Sequence, residues 1–140
     1  MDLYSGKIIS WVLSTTLEAK WVIEAINKAK ATRNILKPLI MHSDRGIQYT
    51  CTSYQNATDG FINSYSKDNA CIESFHALIK RDWLNRFKIL DYNHAYRLVF
   101  NYIDAFYNMV RIHSHCGYLS PNQYEAKYEK QLVNLYKIVI

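Results

Sequence analysis

The chain has 140 residues, 49% of them apolar and 21% charged, with a formal net charge of +5. That length and apolar content suit one domain with its own core and exclude a disordered, highly solvated chain, while the positive balance suits a polyanion such as DNA without requiring one. No apolar run approaches the roughly 20 residues of a membrane span, MDLYSGKIIS lacks the basic-then-apolar order of a secretory signal, and the odd, widely spaced Cys51, Cys71 and Cys116 read as free thiols of a reducing cytoplasm.

In chain order, Lys7 to Ser14 (KIISWVLS) is rich in β-branched and aromatic residues and predicts a strand. Thr15 and Thr16 can cap the next element, in which Leu17, Trp21, Val22, Ala25, Ile26 and Ala29 recur at helical spacing. Asn34 to Lys37 is a connector, and Pro38 to His42 (PLIMH) predicts a short buried strand entered through a proline. Strand, helix, strand argues for an α/β sheet. Ser43-Asp44-Arg45-Gly46 carries turn chemistry, Thr52 to Ala57 a short helix, and Phe61 to Tyr65 a third strand after Gly60. Asp68 stands at an N-cap position before a helix over about Asn69 to Phe87, whose apolar face is Ile72, Phe75, Ile79 and Trp83. A second long helix spans about Tyr92 to Val110, with Ala95, Leu98, Val99, Tyr102, Phe106 and Met109 on its apolar face. Gly117 and Pro121 punctuate the chain before a last short helix over Asn122 to Lys130. No repeat, low-complexity segment or long linker divides it.

Two carboxylates stand where chemistry is possible. Asp44 follows an apolar strand directly, and ligand-binding residues of open α/β sheets gather beyond the carboxyl ends of strands; the alternative is that it only shapes a turn. Glu73 lies near a helix start, where complementing the dipole is a sufficient explanation by itself. Taken together, an Asp at a strand end and a Glu on a later helix can share Mg²⁺, which binds through one or two carboxylates plus waters and substrate phosphates. Two such ions can activate an attacking oxygen and steady a leaving oxygen at phosphorus, chemistry that normally uses a third carboxylate. His113, His115 and Cys116 bring zinc-ligand types close together but lack the paired-cysteine spacing of structural zinc sites. Lys80, Arg81, Arg86, Lys88, Arg97 and Arg111 interleave with Trp83, Phe87, Tyr92 and Tyr96. That pattern is either a phosphate-contacting face or an ordinary solvated face over a tyrosine-rich core.

Four motifs carry a resemblance. His42-Ser43-Asp44-Arg45-Gly46-Ile47-Gln48-Tyr49 is similar to the HSDRGxQY signature of bacterial insertion-sequence transposases of the orfB type, which have a retroviral-integrase-like core. Asp68 to Phe75 (DNACIESF) resembles their DNAxxESF motif, Arg111 to Pro121 (RIHSHCGYLSP) their RxHSxxGYxSP motif, and Asp2 to Ser5 their DLYS segment. The resemblance covers nearly the whole chain in the family's order. It implies an α/β, RNase H-like fold and an Asp-Asp-Glu site using Mg²⁺ or Mn²⁺, which cuts a transposon end and joins its 3′-hydroxyl to target DNA. Residue by residue, Asp44 matches the second Asp and Glu73 the Glu; both are the implied metal ligands. Lys80, Arg81, Arg86 and Arg111 are the residues expected to approach DNA, both transposon ends and target.

Three departures from the family pattern shape the expectation. The family's first Asp lies on a strand upstream of DLYS, so the chain is expected to be N-terminally truncated, with an incomplete sheet; Asp2 matches a hairpin position instead. Only 28 residues (45 through 72) separate Asp44 from Glu73, fewer than the family's usual interval by about two helical turns' worth. Gly6 stands where an arginine is expected. The expected architecture is one partial RNase H-like core over about residues 1–90 followed by long C-terminal helices over about 91–140, with exposed strand edges and apolar faces that dimerisation or aggregation would cover. The expected function is that of a transposase catalytic-core fragment, inactive alone; the alternative is a non-catalytic remnant that binds DNA or interferes with assembly.

Overall fold

The computed structural model describes residues 1–33, 35 and 38–137. Apart from Ile35, the expected connector from Asn34 to Lys37 lies outside the described residues. The chain divides into two compact units, Ile9–Phe75 and Met1–Ile8 with His76–Ile140.

The unit Ile9–Phe75 begins with a segment of no regular secondary structure and then α1 (Ala19–Thr32). Here the first expectation fails: residues 7–14 form no strand. Branched side chains favour an extended backbone, but a strand exists only if a neighbour completes its ladder. Among the described residues the two sheet strands pair with each other. Neither Thr15 nor Thr16 is the helix cap; Glu18 occupies that position without a side-chain cap bond. Thr16 instead braces the entry, donating to the Glu18 carboxylate at 2.7 Å and accepting from the Trp21 indole N–H at 2.9 Å.

The sheet consists of β1 (Ile40–Ser43) and β2 (Ile62–Tyr65), parallel and in register from Ile40↔Ile62 to Ser43↔Tyr65. Parallel neighbours need a crossover, and α2 (Thr52–Ala57) lies within it. Tyr54 of α2 is fully buried, and α1 packs against α2. Lys30 joins the layers: its ammonium donates to the Ala57 carbonyl at 2.7 Å and lies 4.8 Å from the Phe61 ring centre. That carbonyl ends α2, where orphan acceptors and the negative pole of the dipole favour a cation.

The helix α3 (Ala70–Asp82) starts one residue after Asn69, so Asp68 lies one position short of the cap site. It ends five residues before the expected Phe87. Trp83 leaves the helical region (φ −134°, ψ −67°) and a short 3₁₀ turn, Leu84–Arg86, follows. The indole explains the break: it stacks on Phe106 (centroids 6.4 Å apart, planes at 13°) and meets Phe87 and Tyr102 at 5.6 and 6.0 Å. Offset aromatic packing of this kind outweighs one more turn of helix propensity.

Asp91 caps α4 (Tyr92–Phe100) by accepting the His94 N–H at 2.7 Å. The helix continues as a π-helical stretch, Asn101–Tyr107, rather than as regular α-helix to Val110. Wider turns rotate the side chains that follow. The buried set becomes Leu98, Tyr102, Ile103 and Tyr107, while the expected core residues Phe106 and Met109 are exposed. Past His113 the chain turns back on itself, with Gly117 and Tyr118 both at positive φ, and α5 (Pro121–Lys137) runs longer than the expected Asn122 to Lys130. Ser120 and Gln123 form a reciprocal capping box at its start, with Gln123 Oε1 accepting from the Ser120 N–H at 3.0 Å.

The first eight residues are stitched to this helical unit by polar contacts. Asn108 acts as a peptide mimic: Ile8 N–H donates to its Oδ1 and its amide donates to the Ile8 carbonyl, both at 3.0 Å. The Cys116 thiol donates to the Ser5 carbonyl at 3.4 Å, and Glu125 accepts from the Ser5 hydroxyl and the Lys7 ammonium, each at 3.0 Å. Asp2 spends one carboxylate oxygen on the Tyr4 and Ser5 N–H groups of its own turn. No helix among the described residues is long and apolar enough to cross a membrane.

Candidate metal and DNA site

Asp44 is the first residue past the carboxyl end of β1. Its Oδ1 accepts the Gly46 N–H at 2.8 Å, closing a local turn that fixes the side chain. Among the described residues no donor meets its Oδ2. The Asp44 charge also reaches Tyr49, whose phenol is pushed above its ordinary value first by burial and then by that carboxylate.

Glu73 lies in the first turn of α3, exposed, with its N–H bonded to the Asn69 carbonyl at 3.0 Å. Its carboxylate has no protein partner among the described residues. Both residues belong to the unit Ile9–Phe75. Because β1 and β2 are parallel and end in register, the chain leaves β1 into Asp44 at the same sheet edge where it leaves β2. Four residues, 66 to 69, then lead to α3.

A histidine that the sequence reading left without a role ties this edge together. His42 Nδ1 lies 3.1 Å from Ser64 Oγ on β2, and its Nε2 lies 3.0 Å from Ser66 Oγ. The Ser66 hydroxyl in turn donates to the Asp68 carbonyl just before α3, and its N–H donates to the Ser43 carbonyl at 3.1 Å. The end of β1, the end of β2 and the approach to α3 are thus cross-linked by one imidazole and two serine hydroxyls. The signals available in sequence were the apolar run that puts His42 near a strand end and the serines Ser64 and Ser66 in and just after the next strand.

The donor chemistry suits a hard cation. Two carboxylates with uncommitted oxygens are what Mg²⁺ takes when waters and a phosphate complete its shell. Among the described residues no group of three or more His, Cys, Asp or Glu side chains is placed to hold a metal ion. His113 and Cys116 are engaged elsewhere. Cys116 is buried with its thiol on Ser5, and burial raises it above the ordinary thiol value. The His113 ring packs edge-on to Tyr107 at 4.9 Å. Its pKa is pushed down to about 4, by burial first and then by the nearby charges of Arg111 and His115.

The basic residues lie in the other unit and differ among themselves. Lys80, Arg81 and Arg86 are exposed. Arg81 Nε donates to Asp82 Oδ1 at 2.8 Å. Arg111 is mostly covered, with 24% of its side chain accessible; its Nη2 lies 3.7 Å from Asp82 Oδ2 and its Nη1 3.4 Å from His113 Nδ1. The hydrogen bond from Arg81, more than any other influence, holds the Asp82 carboxyl below its ordinary value.

Comparison with known proteins decides the family. Two adjoining family models, both described as Integrase core domain, match residues 1–61 and 61–121. The chain belongs to the integrase-core transposases of insertion sequences. It is 33% identical over 132 residues to the transposase for insertion sequence element IS904 of Lactococcus lactis subsp. lactis (strain IL1403), covering 89% of this chain and 52% of that protein. It is 34% identical over 134 residues to the transposase InsF for insertion sequence IS3A of Escherichia coli (strain K12), covering 91% of this chain and 46% of that one. The chain therefore spans about half the length of the curated transposases it matches. No solved structure matches it.

Proposed function

We propose that these 140 residues form part of the RNase H-like catalytic core of a transposase and act in DNA transposition, cutting a transposon end and joining it to target DNA. Asp44 and Glu73 are the second Asp and the Glu of an Asp-Asp-Glu site. The observation that supports this most is topological: the parallel strands β1 and β2 end in register, with Asp44 directly after one and the helix of Glu73 four residues after the other. Asp44 Oδ2 and the Glu73 carboxylate would hold Mg²⁺ or Mn²⁺. The bound cation would polarise the scissile phosphate and lower the pKa of the attacking oxygen's proton. The protein's part is to hold the two carboxylates in place, through the Asp44–Gly46 turn and the His42–Ser66 cross-link, and to screen backbone phosphates with the exposed Lys80, Arg81 and Arg86.

None of the 140 residues matches the first Asp of the family site, so the chain alone is expected to bind DNA without joining it. A labelled duplex carrying a transposon end, incubated with Mn²⁺ and an acceptor DNA, tests this. Joining by the 140 residues alone, abolished by Glu73→Gln, overturns the expected defect.

A second reading, a non-catalytic DNA-binding remnant, is favoured by the exposure of Lys80, Arg81 and Arg86. It predicts salt-dependent duplex binding that divalent metal does not change. Binding strengthened by Mn²⁺ and no longer so in Asp44→Asn favours the first reading.

A further inference from the structure

Asp82 stands where local electrostatics oppose it. It is the last residue of α3, at the negative pole of the helix dipole, and aspartate is a poor helix former. Three guanidiniums offset that position. Arg81 donates through Nε, Arg111 lies in ion-pair range of the other carboxylate oxygen, and Arg86 adds to the field. One carboxylate among three arginines leaves the cluster net positive.

The three arginines are held differently. Arg111 is anchored from the protein side: its side chain is 24% exposed and its other terminal nitrogen meets His113, itself buried. It faces Asp82, whose side chain is 27% exposed, at an ion-pair distance of 3.7 Å. Asp82 fixes Arg81, which is 71% exposed. The bond to Arg81 uses Nε. Its two terminal amino groups, which among the described residues meet no protein acceptor, remain as a fork whose spacing matches two phosphate oxygens. An exposed ion pair between chain neighbours contributes little to folding, so the consequence of this arrangement belongs to binding.

We propose that Asp82 is a positioning residue for the DNA backbone: held by Arg111, it fixes Arg81 as a preformed fork for one phosphate. Arg111 then acts through Asp82 rather than on DNA directly. The proposal rests on the DNA reading given above, and its test separates the two.

Charge alone and positioning predict opposite signs. Removing a carboxylate beside a polyanion tightens binding if charge is all that matters. If Asp82 orders Arg81, Asp82→Ala weakens duplex binding about 3- to 10-fold, the cost of ordering one long side chain on binding. In an Arg81→Ala background the same change tightens binding or leaves it unaltered. The double-mutant cycle is read by fluorescence anisotropy of a labelled duplex titrated with the 140-residue chain across a salt series, with circular dichroism confirming that helix is retained. Asp82→Asn, which keeps the shape, is read the same way if Asp82→Ala loses helix. Weakening by Asp82→Ala that disappears or changes sign in the Arg81→Ala background supports the proposal, and equal weakening in both backgrounds overturns it. Tightening in both backgrounds, with wild-type binding intact, overturns the positioning role and leaves the DNA reading standing. No wild-type binding at low salt overturns both.

Discussion

Replacing Asn108 by alanine tests how the first eight residues are held. The Asn108 side chain gives Ile8 both of its backbone partners, at 3.0 Å each, and both residues are buried. The Asn108 main chain is engaged as well, its N–H on the Ile103 carbonyl at 3.0 Å and its carbonyl on the Asn122 N–H at 3.1 Å, so the backbone there cannot shift to compensate. Alanine would leave a buried N–H and a buried C=O without partners. Each unsatisfied buried group costs about 1–3 kcal/mol, and partial access of water to the new space brings the sum to about 2–4 kcal/mol. With a urea slope of about 2 kcal/mol/M the midpoint falls by about 1–2 M. The exposed Asn101→Ala, seven residues earlier at the start of the π-helical stretch, serves as control and is expected to cost less than about 0.5 kcal/mol. Hydrogen exchange at the Ile8 amide gives a local readout, since its protection depends on the Asn108 oxygen. A midpoint shift no larger than that of the control, or undiminished protection at Ile8, refutes the peptide-mimic role.

Three other outcomes follow from particular contacts. His113 titrates near 4 in the folded chain against 6.5 unfolded, so the folded state binds fewer protons between those values. Its contribution is complete above about pH 6.5 and is lost as pH falls toward 4, about 1–2 kcal/mol after allowance for solvent screening, and His113→Gln should flatten the fall in urea stability between pH 7.5 and 5. Gly6 has φ +70° and a Cβ there would lie 3.3 Å from His115 Nε2, so Gly6→Ala should destabilise by about 1–2 kcal/mol in a thermal melt, and Gly6→Arg, the residue expected at this place, by at least as much. His42→Ala removes both serine partners and should cost about 1–2 kcal/mol, with amide exchange accelerated at Tyr65 and Ser66 but not in α4.

Local signals were legible where local physics decides. The helix Thr52–Ala57 was read at its observed bounds, and the strands at 40–43 and 62–65 were read to within two residues, because apolar runs and turn residues mark them. What failed depended on partners distant in sequence. Lys7 to Ser14 has strand composition but no ladder neighbour, and Ile8 takes its hydrogen bonds from Asn108 instead. Trp83 fits the apolar spacing of α3, yet Phe106 and Tyr102, which draw it out of the helix, lie some twenty residues later. The π-helical stretch was invisible to a 3.6-residue period, so the core face after Tyr102 was read one position out. Of the proposed site, Asp44 and Glu73 come from motif and element position, and the fold sets one directly after β1 and the other in the first turn of α3. The roles of His42, Ser66 and Asp82 were not legible in sequence, since each follows from contacts that cross between elements or chain segments.

The account turns on Asp44 and Glu73 sharing one divalent cation. Fe²⁺ in place of Mg²⁺, with ascorbate and peroxide, cleaves a polypeptide next to the bound ion. On the DNA-bound chain, the fragments mapped by mass spectrometry should show two cuts, one near residue 44 and one near residue 73, and both should vanish together in Asp44→Asn and again in Glu73→Gln. A cut at one place only, or cuts that survive either substitution, would contradict a shared ion.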